Sequence, residues 1–219
     1  MPLLKHENID QILVFRFIHI DNLEHDLTNG LFAKNFGENY DPTRKLIANE
    51  EIIQRRNQAV VKCYPDTVVN DYVPFYFSVR TPMLYNIKTG WGVPKQKQEA
   101  IVYLVCQLSE LATADFQWCF TNGNATSAIT RFYNNLEYLP GIDWRSIKSE
   151  DFRDNNSDGD LDRKRKKHAE FLVKDHVPAS LIKALFVYNE TAKEHVDNLC
   201  KKINFVTKVI VDKKNRFYF

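Results

Sequence analysis

The sequence predicts an α+β fold. Runs of β-branched and aromatic residues outnumber the helical stretches, they do not alternate with helices in the regular rhythm of a doubly wound sheet, and the first of them, "QILVFRFIHI", is apolar on both faces. A strand with two apolar faces is covered by protein on both sides, so this one is expected at the centre of the sheet. A chain of 219 residues that is 44% apolar and 26% charged can bury one substantial core, and a single domain over 1–219 is expected.

After that strand, Asp21 and Asn22 can cap a helix over "NLEHDLTNGL", which Gly30 ends by supplying the left-handed turn. A loop carrying Asp41-Pro42 leads to a helix over roughly Asn49 to Asn57, with Ile52 and Ile53 on one face and Arg55 and Arg56 at its C-terminal end. "DYVPFYFSVRTPMLYNI", interrupted by two prolines, reads as a short strand running into a loop rather than a regular sheet centre. "EAIVYLVCQL" reads as a buried strand, and "FQWCFT" as a short one before the turn signal Asn122-Gly123. An aromatic-faced helix is expected near "AITRFYNNLEYL", then a polar loop "FRDNNSDGDLD". The remaining expectations are a strand opening at Glu170, a turn or helix begun by Pro178, a strand "ALFVYN", a helix "TAKEHVDNLCKKI" and a closing strand pair in "KVIVDKKNRFYF".

Composition narrows the functions. With 30 Lys+Arg against 28 Asp+Glu, the net charge of +2 excludes a globally basic nucleic-acid coat and leaves room for a local basic patch. Four scattered cysteines form no CxxC pair, so they are expected to be reduced and mostly buried. No apolar run approaches the roughly 20 residues that span a bilayer, and no secretory leader is legible, so a cytoplasmic protein without a membrane association is expected. The patterns GxSxG, GxGxxG, the P-loop and HExxH are absent. "DNNSDGDLDRKR" imitates a calcium loop through Asp154, Asn156, Asp158 and Gly159, but Arg165 stands where the bidentate Glu belongs; no metal is expected.

The strongest local feature is "RKRKKHAEFLVKDHVP". Alternation on its strand puts His168, Glu170 and Leu172 on one face, behind five basic residues from Arg163 to Lys167. The basic run fits an import signal, a solvated block or a phosphate-binding arm, and Glu170 fits an edge-strand carboxylate or a catalytic group. His19 fits a satisfied core histidine, the aromatics from Tyr72 to Tyr85 fit a core, and Arg55 and Arg56 fit a helix cap.

Taken together and in order, "FIHIDNLEHDLTNGL", "EIIQRRNQAVV", "NDYVPFYFSVRTPMLYNI", "FTNGNATSAITRFYNNLEYLPGIDW" and "RKKHAEFLVKDHVP" resemble the DarT family, toxins that ADP-ribosylate single-stranded DNA. The resemblance implies an ADP-ribosyltransferase-like split β-sheet core with flanking helices and NAD as co-substrate. It also implies transfer to a base, in many members thymine, and a macrodomain antitoxin of the DarG type as partner. By the same resemblance Glu170 is the catalytic glutamate and Arg56 lies near the reacting ribose. Arg16, His19 and Asn22 belong to the NAD pocket, with Tyr76 and Met83 near the nicotinamide and base. Arg80, Arg165, Lys166 and Lys167 are expected to draw in DNA phosphates, and Asn124 falls where relatives carry histidine or asparagine. The competing readings are a non-catalytic single-strand-binding module and an NAD-consuming enzyme that modifies RNA or protein.

Overall fold

The computed structural model describes residues 9–48, 50–113, 115–154 and 159–219. Its elements in chain order are β1 Leu13–His19, α1 Leu23–Asn29, β2 Leu31–Phe32, α2 Glu50–Gln58, β3 Tyr72–Tyr76, α3 Pro82–Thr89, β4 Ile101–Gln107, α4 Leu108–Thr113, β5 Trp118–Thr121 and β6 Phe132–Tyr133. There follow α5 Trp144–Lys148, α6 Arg163–Lys166, β7 Glu170–Lys174, β8 His176–Val177, β9 Ile182–Val187, α7 Glu190–Lys202 and β10 Lys208–Val211. Eight strands form one sheet in the order β10-β9-β4-β1-β3-β7-β5-β6, while β2 and β8 pair separately.

β1 sits inside the sheet, as its two apolar faces require. Val14 and Ile18 enter one core with Val102, Leu104 and Cys106, whereas Phe17 enters a second with Leu84, Tyr103 and Tyr218. Along β4 it pairs over seven residues, from Leu13↔Gln107 to His19↔Ile101. Along β3 it pairs only at Phe15↔Tyr76, so the sheet is split there.

Pro74 explains why the split is stable. Backbone N and C=O of one strand residue point to the same side, and the Pro74 carbonyl accepts a 3.1 Å bond from Arg16 Nη1 of β1. The donor that proline lacks therefore faces the gap, where no ladder bond is lost. This corrects the expectation that "VPFYF" stands apart from the sheet centre: β3 lies between β1 and β7 and pairs with β7 from Tyr72↔Lys174 to Tyr76↔Glu170.

Other departures also have local causes. "RTPMLYNI" is a helix, α3, because Thr81 Oγ1 accepts from Leu84 N at 3.2 Å, Pro82 occupies the first turn, and Gly90 closes it in the left-handed region at φ 80°. "AITRFYNNLEYL" is β6 followed by a 3-10 turn over Leu136–Gly141, capped by Asn135, whose side chain accepts from Glu137 N. The C-terminal "RFYF" does not form a strand. The Asp212 carboxylate accepts from the backbone N–H groups of Arg216, Phe217 and Tyr218 at 2.9, 2.7 and 3.2 Å, and turns the aromatics back into the core against Tyr103. β10 instead lies parallel to β9, joined to it through α7, which buries Ala192, Val196 and Cys200 at helical spacing.

The expected cap of α1 is not made: the Asn22 side chain forms no cap bond because its amide is spent on Lys45, and Asp21 pairs with Lys45 Nζ at 3.2 Å. α1 ends at Gly30, at φ 92°, where an added Cβ would lie 2.3 Å from the His176 ring and 2.7 Å from the Val177 carbonyl. All four cysteines are free, and three are buried, with Cys63 half-buried. No helix among the described residues is long and apolar enough to cross a membrane. Asn156 and Asp158 of the calcium-like stretch lie outside the described residues, as does Asn49 at the start of the second predicted helix.

Candidate active site

Where β1 and β3 diverge, the gap opens into a cavity of about 440 Å³, within the size range of small-molecule sites. Seven cationic side chains line it, from Arg16 on β1, Lys34, Arg44, Lys45, Arg55 and Arg56 on the chain through α2, and Lys164 on α6, against one carboxylate, Glu170. An excess of cations in a concave site favours a polyanionic ligand.

Glu170 begins β7 and is only 2% exposed. Its backbone N–H donates to Thr121 Oγ1 at 3.0 Å, and Thr121 Oγ1 in turn donates to the Gly123 carbonyl at 2.7 Å, so the strand end and the loop after β5 are tied together. Its side chain receives Arg56 Nη1, 3.0 Å from Oε2 and 3.2 Å from Oε1, and the Ala125 N–H at 3.5 Å. Arg56 is delivered by the last turn of α2, whose acids precede its bases in agreement with the helix dipole. That helix is anchored by Asn70 Nδ2, which donates to the Ile53 carbonyl at 2.9 Å.

Two donors in the cavity wall are left over. Arg16 Nε and Arg56 Nη2 are buried and have no hydrogen-bond partner. Such orphaned donors are costly unless an acceptor arrives, and a pyrophosphate or ribose supplies acceptors. Burial and the neighbouring Arg44 guanidinium lower the Arg16 pKa to about 10, which leaves it charged at neutral pH. The residues present therefore fit NAD. Tyr76 stacks on Phe17 with ring centroids 5.4 Å apart, and burial, then the Glu170 carboxylate, push its phenol above its ordinary pKa, so it acts as a neutral ring.

Other cavity residues hold the walls. Asn22 spends its amide on one segment, donating to the Lys45 carbonyl at 2.9 Å and accepting the Lys45 N–H at 2.8 Å. His19 Nδ1 accepts the Asp21 N–H at 3.2 Å, which puts the proton of the neutral ring on Nε2. His168 carries the other tautomer, because its Nδ1 stands 2.9 Å from the Lys164 carbonyl and must donate. Burial lowers the pKa of both histidines.

The family model for the ssDNA thymidine ADP-ribosyltransferase DarT matches residues 15–219. The chain belongs to the DarT family. Its relatives include the DNA ADP-ribosyl transferase of Thermus sp. (strain 2.9), 35% identical over 190 residues that make up 86% of this chain and 87% of that one. That of Escherichia coli O127:H6 is 34% identical over 85% of this chain and 84% of its own. The solved structure of Thermus sp. 2.9 DarT in complex with ADP-ribosylated ssDNA superposes with a TM-score of 0.84 at 33% identity, covering 95% of this chain and 96% of that one. The same protein in complex with NAD+ gives 0.81 at 31% identity, covering 95% and 98%. The split sheet is thus the DarT fold, and this member is an NAD-dependent ADP-ribosyltransferase that acts on single-stranded DNA.

Of the residues picked from the sequence, Arg16, His19, Asn22, Arg56, Tyr76, Met83, Asn124 and Glu170 come together at this cavity. The basic run does not present one face to a ligand, which corrects its reading as an arm. Lys167 is 2% exposed and donates to Ser78 Oγ, the Ile147 carbonyl and the Ser149 carbonyl. Lys166 pairs with Asp160 at 3.1 Å and Asp143 at 3.3 Å. Arg165 pairs with Asp162 and donates to Thr130 Oγ1 at 3.1 Å, so it clamps the loop after β5; a Cβ on Gly123 would collide with its guanidinium at 2.2 Å. Only Lys164 of the run lines the cavity, and Arg80 lies elsewhere, beside Lys167.

Sequence reasoning missed Asp26 and Arg44. Asp26 is fully buried on α1 and receives both terminal nitrogens of Arg44, Nη2 at 2.6 Å from Oδ2. The pair fastens the segment before α2 that forms one cavity wall. A carboxylate between Leu23 and Leu27 on the apolar face of a helix was the available signal, since a buried charge requires a partner. Among the described residues there is no cluster of three metal-ligating side chains.

Proposed function

We propose that this chain transfers ADP-ribose from NAD to a thymine base of single-stranded DNA, as the toxin of a pair whose antitoxin is a macrodomain protein of the DarG type. The observation that carries the reading is the buried Glu170 held by Arg56 inside a cationic cleft. As the bond between nicotinamide and ribose lengthens, positive charge develops on the sugar, and a fixed carboxylate stabilises that state more than the ground state. Arg56 holds the carboxylate at a set position, while its free Nη2 and Arg16 Nε are available to the pyrophosphate and ribose. Once nicotinamide has left, Glu170 takes the proton from the base nitrogen that attacks the sugar carbon; the nitrogen lone pair forms the new bond and the electrons of the broken one leave with nicotinamide.

A base within a duplex hides its reactive edge, which explains a single-stranded substrate. Tyr76 and the Met83 side chain form an apolar platform for that base or for the nicotinamide. Asn124 has its Oδ1 occupied by Thr126, both N–H and O–H, so its amide nitrogen is the group left to meet the base. The antitoxin is what the family resemblance implies, and a macrodomain that hydrolyses the new bond between base and ribose would restore the base.

Incubation with labelled NAD and, separately, single-stranded DNA, duplex DNA and RNA tests the proposal. Label on single strands alone, retained at thymine after digestion and removed by a macrodomain hydrolase, is the expected result. Label on another base, or nicotinamide release without transfer, overturns it.

A further inference from the structure

Beyond the Phe15–Tyr76 contact, β1 and the chain after β3 part a second time, and another cavity of about 580 Å³ opens there. It shares no lining residue with the first. Arg80, Lys148, Lys167 and Arg216 line it, opposed by one carboxylate, Glu150. The guanidinium of Arg80 lies over the Phe219 ring, 4.7 Å from its centroid. Its Nε is buried with no hydrogen-bond partner, an orphaned donor like those of the first cavity.

Lys167 supplies charge without spare donors, since its ammonium is already spent on three oxygens. Burial, then the neighbouring Arg80 and Arg163, push it down to about 8, against the pull of Glu150. Like charges are thus crowded around an apolar-walled space, with Phe15, Phe77 and Trp144 among the walls, and an anion there would relieve the repulsion.

We propose that this second cavity is a phosphate-binding site. Two sources share that chemistry: a backbone phosphodiester of the DNA strand whose base occupies the first cavity, and a free phosphate-bearing nucleotide. The first source rests on the DNA-modifying function proposed above; the site itself does not. Arg80 is the recognising group, because its Nε and outer nitrogens can engage two phosphate oxygens at once.

Calorimetric titration of the full chain with inorganic phosphate tests the site. Saturable binding that weakens at least tenfold in Arg80→Gln is expected, and a charge reversal at the exposed Lys148, Lys148→Glu, is expected to weaken it in the same direction should the arginine variant fail to fold. No saturable binding, or binding untouched by both variants, overturns the proposal. Transfer assays with oligonucleotides of about 5 and about 20 nucleotides then separate the sources. A DNA phosphate predicts that Arg80→Gln raises KM for the longer strand about fivefold or more, leaves KM for NAD unchanged, and flattens the logarithmic salt dependence by about 0.7. A free nucleotide predicts unchanged KM for both strands with phosphate binding still lost. A wild-type chain that transfers nothing to any strand defeats the proposed function, and the phosphate titration still decides the cavity.

Discussion

Replacing Glu170 with glutamine removes one charge and preserves shape, and the structure sets the size of the effect. The carboxylate stands 3.0 Å from Arg56 Nη1 in a site 2% exposed, so water screens it poorly. A sugar carbon developing nearly a full positive charge at about 4 Å, with an effective dielectric of about 20, interacts with that carboxylate by about 4 kcal/mol. Loss of that term slows transfer about a thousandfold. Arg16 and the cations before α2, which face the NAD phosphates, form no ion pair with Glu170, whose charged partner is Arg56. The assay pairs single-turnover transfer of labelled ADP-ribose to a thymine-containing oligonucleotide with a calorimetric Kd for NAD. Expected is a rate about a thousandfold lower with a Kd within about threefold of the parent, because the interaction belongs to the transition state. Transfer within tenfold of the parent, or a loss explained wholly by weaker NAD binding, refutes the reasoning.

Asp26→Asn leaves Arg44 buried without its carboxylate, which costs about 3–5 kcal/mol and lowers Tm by about 10 °C in calorimetry. Because the Arg44 segment walls the cavity, KM for NAD rises in the same variant. Tyr76→Ala removes the ring stacked on Phe17 and lowers kcat/KM for the oligonucleotide roughly tenfold to a hundredfold, read in steady-state transfer. His19 and His168 have folded pKa values depressed below 6.5, chiefly by burial, so the unfolded chain binds more protons at mildly acidic pH. Their contribution is present above the unfolded pKa and is lost as pH falls through it toward the folded value. Tm therefore declines between about pH 7.5 and 5.5, and His168→Gln makes the decline shallower in the same melts.

What a cation does here depends on its surroundings more than on its neighbours in sequence. Lys164, Arg165, Lys166 and Lys167 are consecutive, yet one lines the catalytic cavity, one clamps a loop, one sits among Asp143 and Asp160, and one is enclosed beside Ser78. α6 turns successive side chains by about 100° and Lys167 follows as its C-cap, so the four bases face different directions.

By itself the sequence determined what depends on local physics. The two-faced apolar pattern made β1 a central strand, Gly30 ended α1, and the acid-to-base order oriented α2 with Arg56 at its end. Strand alternation did not place His168, which reaches the cavity from the turn after α6, before β7 begins at Glu170. The ordered motif blocks made the family legible, and with it Arg16, His19, Asn22, Arg56, Tyr76, Met83, Asn124 and Glu170 at the cavity. Tertiary structure decided what depends on meeting distant chain. Asp26 and Arg44 lie 18 residues apart, Arg56 and Glu170 114 apart, and the use of Pro74 is intelligible only with Arg16 reaching over from β1. Asp212 turned an aromatic tail inward where β propensity alone favoured a strand. Propensity is summed along the chain, whereas desolvation and charge pairing act through space; a buried ion has no fixed meaning until the fold supplies its partner.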